Sequence, residues 1–89
     1  MQTLLGTIYM AQGASERALA CFDEALEDDP SDLSARFHRG EARLDLGDLL
    51  LAREDLDYVL ESGTAGSPLV QQALRLLQRI DELKDRKRR

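Results

Sequence analysis

The sequence has few of the residues that usually carry out chemistry. Its 89 residues include no tryptophan, one cysteine, one histidine, two prolines, and two each of tyrosine and phenylalanine. The single cysteine, Cys21, allows no internal disulfide, which fits a reducing compartment. One thiol and one imidazole, His38, provide neither a set of metal ligands nor a supported nucleophile. We therefore expect no enzymatic activity, no metal, no cofactor and no small-molecule substrate.

Long apolar runs are also missing. No segment approaches the roughly 20 apolar residues that a membrane helix needs, and the N-terminus lacks the basic and apolar regions of a signal peptide. We expect a cytoplasmic domain without membrane contact, and a nuclear location stays open. The composition is 43% apolar and 33% charged, which is typical of a folded, helix-rich chain whose core is mainly Leu and Ala.

The charges are distributed unevenly along the chain. Residues 1–83 carry 7 basic and 16 acidic side chains, whereas residues 84–89 carry five basic and one acidic. The acidic body argues against nucleic acid as a ligand, because phosphate binding needs a cationic face. The basic tail is a solvated helix end, a patch for an anionic partner or for nuclear localisation, or a contact with the acidic body. Its cations are Lys84, Arg86, Lys87, Arg88 and Arg89.

A pattern of small and large residues recurs at an offset of 34 residues. The equivalent pairs include Gly6 and Gly40, Gly13 and Gly47, Ala18 and Ala52, and Phe22 and Leu56. An internal repeat of this length predicts one helix–turn–helix unit that is used twice and stacked.

The first copy shows how such a unit would pack. Gly6 lacks a side chain, so a second helix can approach the first one closely at this point. Ala18, Phe22 and Ala25 follow the i, i+4, i+7 spacing of one helix face, and the aromatic ring can fill the gap between the two helices. Pro30 cannot continue the second helix, so the unit ends there.

The same residues resemble a known repeat family. The spacing L-G-x2-Y … G … A-x3-F-x2-A … P over residues 5–30 resembles the tetratricopeptide repeat signature, with Gln2 in place of its leading Trp. The resemblance implies an all-α, right-handed α-solenoid of two helix–turn–helix units plus a C-terminal amphipathic helix, five helices in all. We assign repeat 1 to residues 1–32, repeat 2 to 33–66, a capping helix to 67–84 and a basic tail to 84–89. The fifth helix also allows a second interpretation, as the first helix of a truncated third repeat, because its register relative to the 34-residue offset is ambiguous.

Local signals predict several helix ends. We place the first helix at residues 3–12 and expect Ser15 to be the N-cap of the second helix. Ser67 and Pro68 should be the N-cap and the first residue of the fifth helix.

Two positions of the second repeat depart from the first. Arg39 and Arg43 stand where Leu5 and Tyr9 stand in the first copy. We expect their aliphatic stems to cover the core while the guanidinium groups reach water or nearby acids.

The resemblance implies a protein–protein interaction module that holds a peptide or helix of a partner in a concave groove. That groove would be built by the first helix of each unit. Carried over position by position, the predicted groove residues are Thr3, Thr7, Met10, Ser34, Phe37, His38, Glu41, Leu44 and Asp45. Phe37 allows two interpretations of equal weight: its ring faces the groove, or it packs against the fifth helix.

Similar modules bind the acidic tails of heat-shock chaperones through a carboxylate clamp of Lys, Asn and Arg. Residues 37–61 look like the final repeat of immunophilin-type co-chaperones, but Ser34 and His38 stand where the clamp Lys and Arg would fall. In the alternative register, as the first two clamp repeats, Thr3, Thr7 and His38 stand where Lys, Asn and Asn are expected. Both registers fail, so we expect no intact clamp. A groove that contains Glu41 and Asp45 would repel a carboxylate-rich ligand.

An alternative function is assembly. The front edge of the first helix, with Leu4 and Ile8, could stack on further repeats of a larger protein or on a second copy of the chain. For either function we expect a monomer or a weak homo-oligomer.

Overall fold

The computed structural model describes residues 2–87 and shows five α-helices joined by short turns. The helices are α1 (Gln2–Ala11), α2 (Ser15–Asp28), α3 (Leu33–Asp45), α4 (Leu49–Ser62) and α5 (Pro68–Lys87). No strand occurs in the described part of the chain, which confirms the all-α prediction. Arg88 and Arg89 of the predicted basic tail lie outside the described residues.

The helices form a curved array. Each helix packs on the next one along the chain, and α1 contacts α3 while α3 contacts α5. Within residues 2–87, α2 and α4 make no comparable contact with each other. The odd-numbered helices therefore lie side by side on an inner surface, and the even-numbered helices diverge on an outer surface.

A glycine sets the close approach of the two helices in each repeat. A Cβ atom on Gly6 would clash with Cε1 of Phe22, and one on Gly40 would lie 3.1 Å from Cγ of Leu56. The same contact thus recurs 34 residues later, as the sequence pattern predicts. The turn that follows each first helix also needs glycine, since Gly13 and Gly47 have φ angles of 77° and 83°.

The prediction that Ser15 caps α2 is wrong. Ser15 is the first residue of that helix, and the capping position belongs to Ala14, whose side chain can accept no hydrogen bond. The carbonyl of Ala14 accepts the first helical bond from Ala18 N at 3.0 Å. The Ser15 hydroxyl instead donates to Asp45 Oδ2 at 3.4 Å, so it ties the start of α2 to the end of α3.

Side-chain caps begin the three later helices. Asp32 accepts a hydrogen bond from the backbone of Ala35 at 3.1 Å, and Asp48, at the position equivalent to Ala14, accepts one from Leu51 at 3.3 Å. Ser67 Oγ accepts from Val70 N at 3.3 Å. The prediction of a Ser67 cap with Pro68 as the first helical residue is confirmed.

The core consists of two clusters of different size. The first cluster contains Ala18, Phe22 and Ala42, with Tyr9, Met10 and Leu19 packed against it. The second and larger cluster joins α3, α4 and α5, and contains Phe37, Leu44, Ala52, Leu56, Val59, Val70, Ala73, Leu77 and Ile80. Because α5 provides four of these nine residues, it is an integral part of the core. It also continues to Lys87, so Lys84 and Arg86 lie on this helix and not in a separate tail.

We predict that Phe22→Ala lowers the free energy of unfolding by about 3–5 kcal/mol, the usual cost of removing a buried phenyl ring. Phe22 is fully buried and fills the gap opposite Gly6. Urea denaturation followed by circular dichroism measures the change. Leu50→Ala is the control, because Leu50 is exposed on α4 and its loss should cost less than about 0.5 kcal/mol. Equal stabilities of the two variants would contradict the core assignment.

Candidate functional site

A cavity lies on the inner surface between α3 and α5. Its volume is about 360 Å³. The residues that line it are Phe37, His38 and Glu41 from α3, and Gln72, Arg75 and Leu76 from α5. Side chains from the first helix of repeat 2 and from the capping helix therefore converge at one place, with apolar and polar groups side by side.

His38 is held in place by contacts on three sides. Its ring stacks on Phe22 with centroids 5.6 Å apart and planes 20° apart, and it meets Phe37 in an edge contact at 5.2 Å. Its Nδ1 lies 3.3 Å from Glu41 Oε1, and donates a hydrogen bond to that carboxylate when Nδ1 carries the proton. The first cluster of the core thus positions His38, and His38 in turn positions Glu41.

The prediction of a Phe37 ring exposed to a partner is wrong. Phe37 is 4% exposed and packs in the second cluster with Val70, Ala73 and Leu77 of α5. The alternative interpretation, that this ring packs against the fifth helix, is confirmed. The physical reason is that α5 lies directly against α3, so the ring lines the bottom of the cavity and is covered by a neighbouring helix.

Two further predicted groove residues lie away from this cavity. Leu44 belongs to the second cluster and lines a separate apolar cavity of about 330 Å³ with Leu49 and Leu83, so its predicted exposure in the groove is wrong. Asp45 is exposed and accepts the hydrogen bond from Ser15, beside the turn between α1 and α2. Leu44 and Asp45, at the end of α3, therefore both lie away from the cavity between α3 and α5.

The remaining predicted positions do not line the cavity either. Thr3, Thr7 and Met10 of α1 are half-buried, and Ser34 is exposed at the start of α3. The hydroxyl of Thr7 donates to the backbone carbonyl of Leu4 at 2.7 Å, within its own helix. Their part in binding stays a prediction.

Sequence reasoning missed the side of the site that α5 provides. Gln72, Arg75 and Leu76 line the cavity, but the register of the fifth helix relative to the 34-residue offset was ambiguous. Arg75 also changes the expected charge. The predicted groove contained the acids Glu41 and Asp45, whereas the cavity contains one acidic residue, Glu41, and one basic residue.

A buried carboxylate joins the two repeats. Asp55 of α4 is 1% exposed, and Arg39 donates to both of its oxygens, with Nε to Oδ2 at 3.0 Å and Nη2 to Oδ1 at 2.8 Å. Arg43 Nη1 also donates to Oδ2, at 2.9 Å. The remaining nitrogen of Arg39, Nη1, donates to Asp23 of α2 at 3.0 Å. The guanidinium of Arg39 thereby connects α2, α3 and α4.

The buried carboxylate of Asp55 favours the charged form of Arg39. The hydrogen bond from Arg39 to Asp55 raises the pKa of the guanidinium above its usual value, despite partial burial. A third arginine, Arg36, lies 3.7 Å from Asp55 Oδ1 and places its guanidinium 4.1 Å from the ring centroid of Tyr58. The expectation that Arg39 and Arg43 reach nearby acids is confirmed.

The ionic cluster replaces an apolar set in the first repeat. At the 34-residue offset, Arg39, Arg43 and Asp55 correspond to Leu5, Tyr9 and Cys21. The two arginines were recognised as departures from the repeat, but the change from Cys21 to Asp55 was not. Asp55 could have been found by asking which acid of α4 can face Arg39 and Arg43 of α3, because a buried cation requires a partner.

The described residues show two further absences. Across residues 2–87, no group of three or more His, Cys, Asp and Glu side chains is arranged to hold a metal ion. In the same part of the chain, no helix is both long enough and apolar enough to cross a membrane.

Comparison with protein-family models gives one decisive finding. The model described as tetratricopeptide repeat matches residues 3–68, which is most of the chain. The chain belongs to the tetratricopeptide repeat family. Comparisons with curated proteins and with solved structures gave no match. Tetratricopeptide repeats generally mediate protein–protein interactions and are typically non-catalytic scaffolds, and the paired helices and inner surface of this chain fit that role.

We predict that Phe37→Ala destabilises the tetratricopeptide domain by about 3–5 kcal/mol, because the ring fills space between α3 and α5. Thermal melting followed by circular dichroism measures the effect. Leu74→Ala on α5, where the side chain is 47% exposed, is the matched control and should melt close to the wild type. A Phe37→Ala variant with wild-type stability would show that the ring is not part of the core.

We predict that Asp55→Cys alone costs about 3 kcal/mol, since it leaves Arg39 and Arg43 without their buried partner. The estimate is at the low end for a buried pair because both arginines retain some solvent access. The triple variant Arg39→Leu, Arg43→Tyr, Asp55→Cys installs the residues of the first repeat and should recover most of that loss. Chemical denaturation of the wild type, Asp55→Cys and the triple variant measures their free energies of unfolding. A triple variant that is less stable than Asp55→Cys would contradict this account.

Proposed function

We propose that this tetratricopeptide domain binds a segment of a partner protein along its inner surface, with the cavity between α3 and α5 as the centre of contact. The observation that carries the proposal is the convergence of six side chains from two helices on one cavity. Its volume of about 360 Å³ is at the lower end of ligand sites, which suits one or two side chains of a peptide.

The lining indicates what kind of segment fits. The edge of Phe37 and the side chain of Leu76 provide an apolar floor, which favours an apolar anchor residue. Glu41 on α3 and Arg75 on α5 place opposite charges on the two helices. A segment with a basic residue toward α3 and an acidic residue toward α5 would satisfy both.

The proposed ligand is not an acidic chaperone tail. Such a tail needs several cations in the groove, and the lysine and arginine of the clamp are replaced by Ser34 and His38. The cavity offers one arginine beside one glutamate, so a run of carboxylates would meet as much repulsion as attraction.

Selection of peptides tests this proposal directly. A phage-displayed library of random 12-residue peptides is panned against the domain, and the affinities of the selected peptides are measured by fluorescence polarisation. We expect Glu41→Arg and Arg75→Glu each to weaken binding about tenfold, equivalent to about 1.4 kcal/mol. Both side chains touch solvent, so melting temperatures should change little.

Matched controls separate this site from a general effect of charge. Glu54→Arg and Arg79→Glu make the same changes of charge at exposed positions on α4 and α5 that do not line the cavity. The control proteins should bind the selected peptides as the wild type does. Equal losses in the controls and in the cavity variants, or a library that yields no binder, would contradict the proposal.

A further inference from the structure

The apolar cavity beside the turn between α3 and α4, which we call the turn cavity, is a second place where a ligand fits. Its volume is about 330 Å³. It is lined by Leu44 of α3, by Gly47 and Leu49 at the turn, and by Leu83 and Arg86 near the end of α5. None of these residues lines the cavity between α3 and α5, so the two sites are separate.

The turn cavity is apolar at its bottom and cationic at its mouth. Leu44 is buried, Leu49 and Leu83 are half-buried, and Arg86 is exposed. Among the described residues that line the cavity, Arg86 is the only charged one, although the chain as a whole has a formal net charge of −5. Arg86 takes part in none of the ion pairs formed within residues 2–87. A molecule that enters therefore meets three leucine side chains and one cation.

The first repeat shows that a cavity at this place belongs to the fold. A cavity of about 420 Å³ lies beside the turn between α1 and α2, with Gly13 and Ser15 at the positions equivalent to Gly47 and Leu49. Asp45 at the end of α3 completes it, as the end of α5 completes the turn cavity. The first cavity is open although α4 and α5 follow α3, so such an opening does not depend on where the array ends.

The two turn regions differ in their chemistry. In the first repeat the hydroxyl of Ser15 donates to Asp45 at 3.4 Å, and Glu16 and Arg17 also line the cavity. In the second repeat Leu49 replaces Ser15, and α5 contributes a leucine and an arginine in place of an aspartate and a leucine. These changes make the turn cavity apolar and reverse the sign of its charge.

An apolar cavity with one cation at its mouth fits a molecule that has one apolar chain and one anionic group. Burial of the chain removes apolar surface from water, and a carboxylate pairs well with a guanidinium. A peptide segment fits less well, because its backbone N–H and C=O groups need partners that leucine side chains cannot provide. The volume of about 330 Å³ is at the lower end of ligand sites, which limits the chain to medium length.

We propose that the turn cavity binds a medium-chain alkyl carboxylate. The alkyl chain lies between Leu44, Leu49 and Leu83, and the carboxylate accepts hydrogen bonds from the guanidinium of Arg86. The ligand is bound without chemical change. Because it contacts the turn and α5 at once, it holds the end of α5 against the turn between α3 and α4.

Isothermal titration calorimetry with ligands that differ only in the head group tests the proposal. Octanoate, octanol and octyltrimethylammonium carry a negative, a neutral and a positive head group on similar chains, and each is used below the concentration at which it forms micelles. We expect octanoate to bind about tenfold more tightly than octanol, and octyltrimethylammonium to bind least, although the net charge of the chain favours a cation. Hexanoate, with two methylene groups fewer, should bind about tenfold more weakly than octanoate.

A change of charge at Arg86 locates the head group. Arg86→Glu should weaken the binding of octanoate about tenfold or more and strengthen that of octyltrimethylammonium. Its melting temperature should change little, because Arg86 is exposed. Arg79→Glu is the matched control, since it makes the same change at an exposed position of α5 that does not line the turn cavity. It should bind octanoate as the wild type does.

A larger side chain at Leu83 locates the alkyl chain. Leu83→Trp fills the turn cavity and should abolish the binding of octanoate, whereas Leu74→Trp, at an exposed position of the same helix, should leave it intact. Melting temperatures show whether both variants are folded. In the wild type, the amide NMR signals of Gly47 and Leu83 should shift on addition of octanoate and that of His38 should not, which locates the ligand even if Leu83→Trp is less stable.

Three results would overturn the proposal. One is a wild-type protein that does not bind octanoate, or that binds octyltrimethylammonium as tightly. Another is an equal loss of octanoate binding in Arg86→Glu and Arg79→Glu. The third is a short peptide ending in leucine with a free carboxylate that shifts the same amide signals and binds more tightly than octanoate, which would make the C-terminus of a protein the occupant.

Discussion

The close approach of two helices at a glycine is the contact on which this structure depends. At Gly6 the ring of Phe22 occupies the space that any side chain would need, and at Gly40 the side chain of Leu56 does the same. A helix pair fixed at this distance leaves its remaining faces free for the neighbouring pair. Stacking then buries the two clusters of the core, which no single pair could form alone.

The curvature of the array follows from this pairing and determines where a partner can bind. Because α1, α3 and α5 contact one another in sequence while α2 and α4 do not, side chains of the odd-numbered helices converge on the inner surface. The cavity between α3 and α5 is one product of that convergence. Its bottom is the second cluster of the core, so the geometry of the site depends on the packing of Phe37 against α5.

The fold could be predicted from the sequence because its determinants are local and repeated. The glycines, the Ala18 and Phe22 spacing and the Ser67-Pro68 helix start each act within one helix pair or one turn. The site could not be predicted as well, because it depends on how α5 lies against α3, and the loop before α5 obscures the 34-residue register. Phe37 shows the consequence: its position in the pattern allowed either a ring facing the groove or packing on the fifth helix, and the neighbouring helix covers it.

The ionic cluster around Asp55 is a second case in which the sequence signal is spread over several positions. Arg39 and Arg43 each depart from the first repeat, but only the joint replacement of Leu5, Tyr9 and Cys21 by Arg39, Arg43 and Asp55 shows that one apolar contact became an ionic one. Replacing Asp55 alone would leave Arg39 and Arg43 without their buried partner.

This ionic contact also bears on how two similar repeats find their correct partners during folding. Arrays of like units are prone to exchange helices between units or between chains. If α3 took the place of α1 against α2, Arg39 and Arg43 would meet the thiol of Cys21. If α1 took the place of α3 against α4, Asp55 would meet Leu5 and Tyr9, neither of which carries a charge. Each mismatch would bury an unpaired charge, so the chain discriminates between its two hairpins by electrostatics where their shapes are nearly the same.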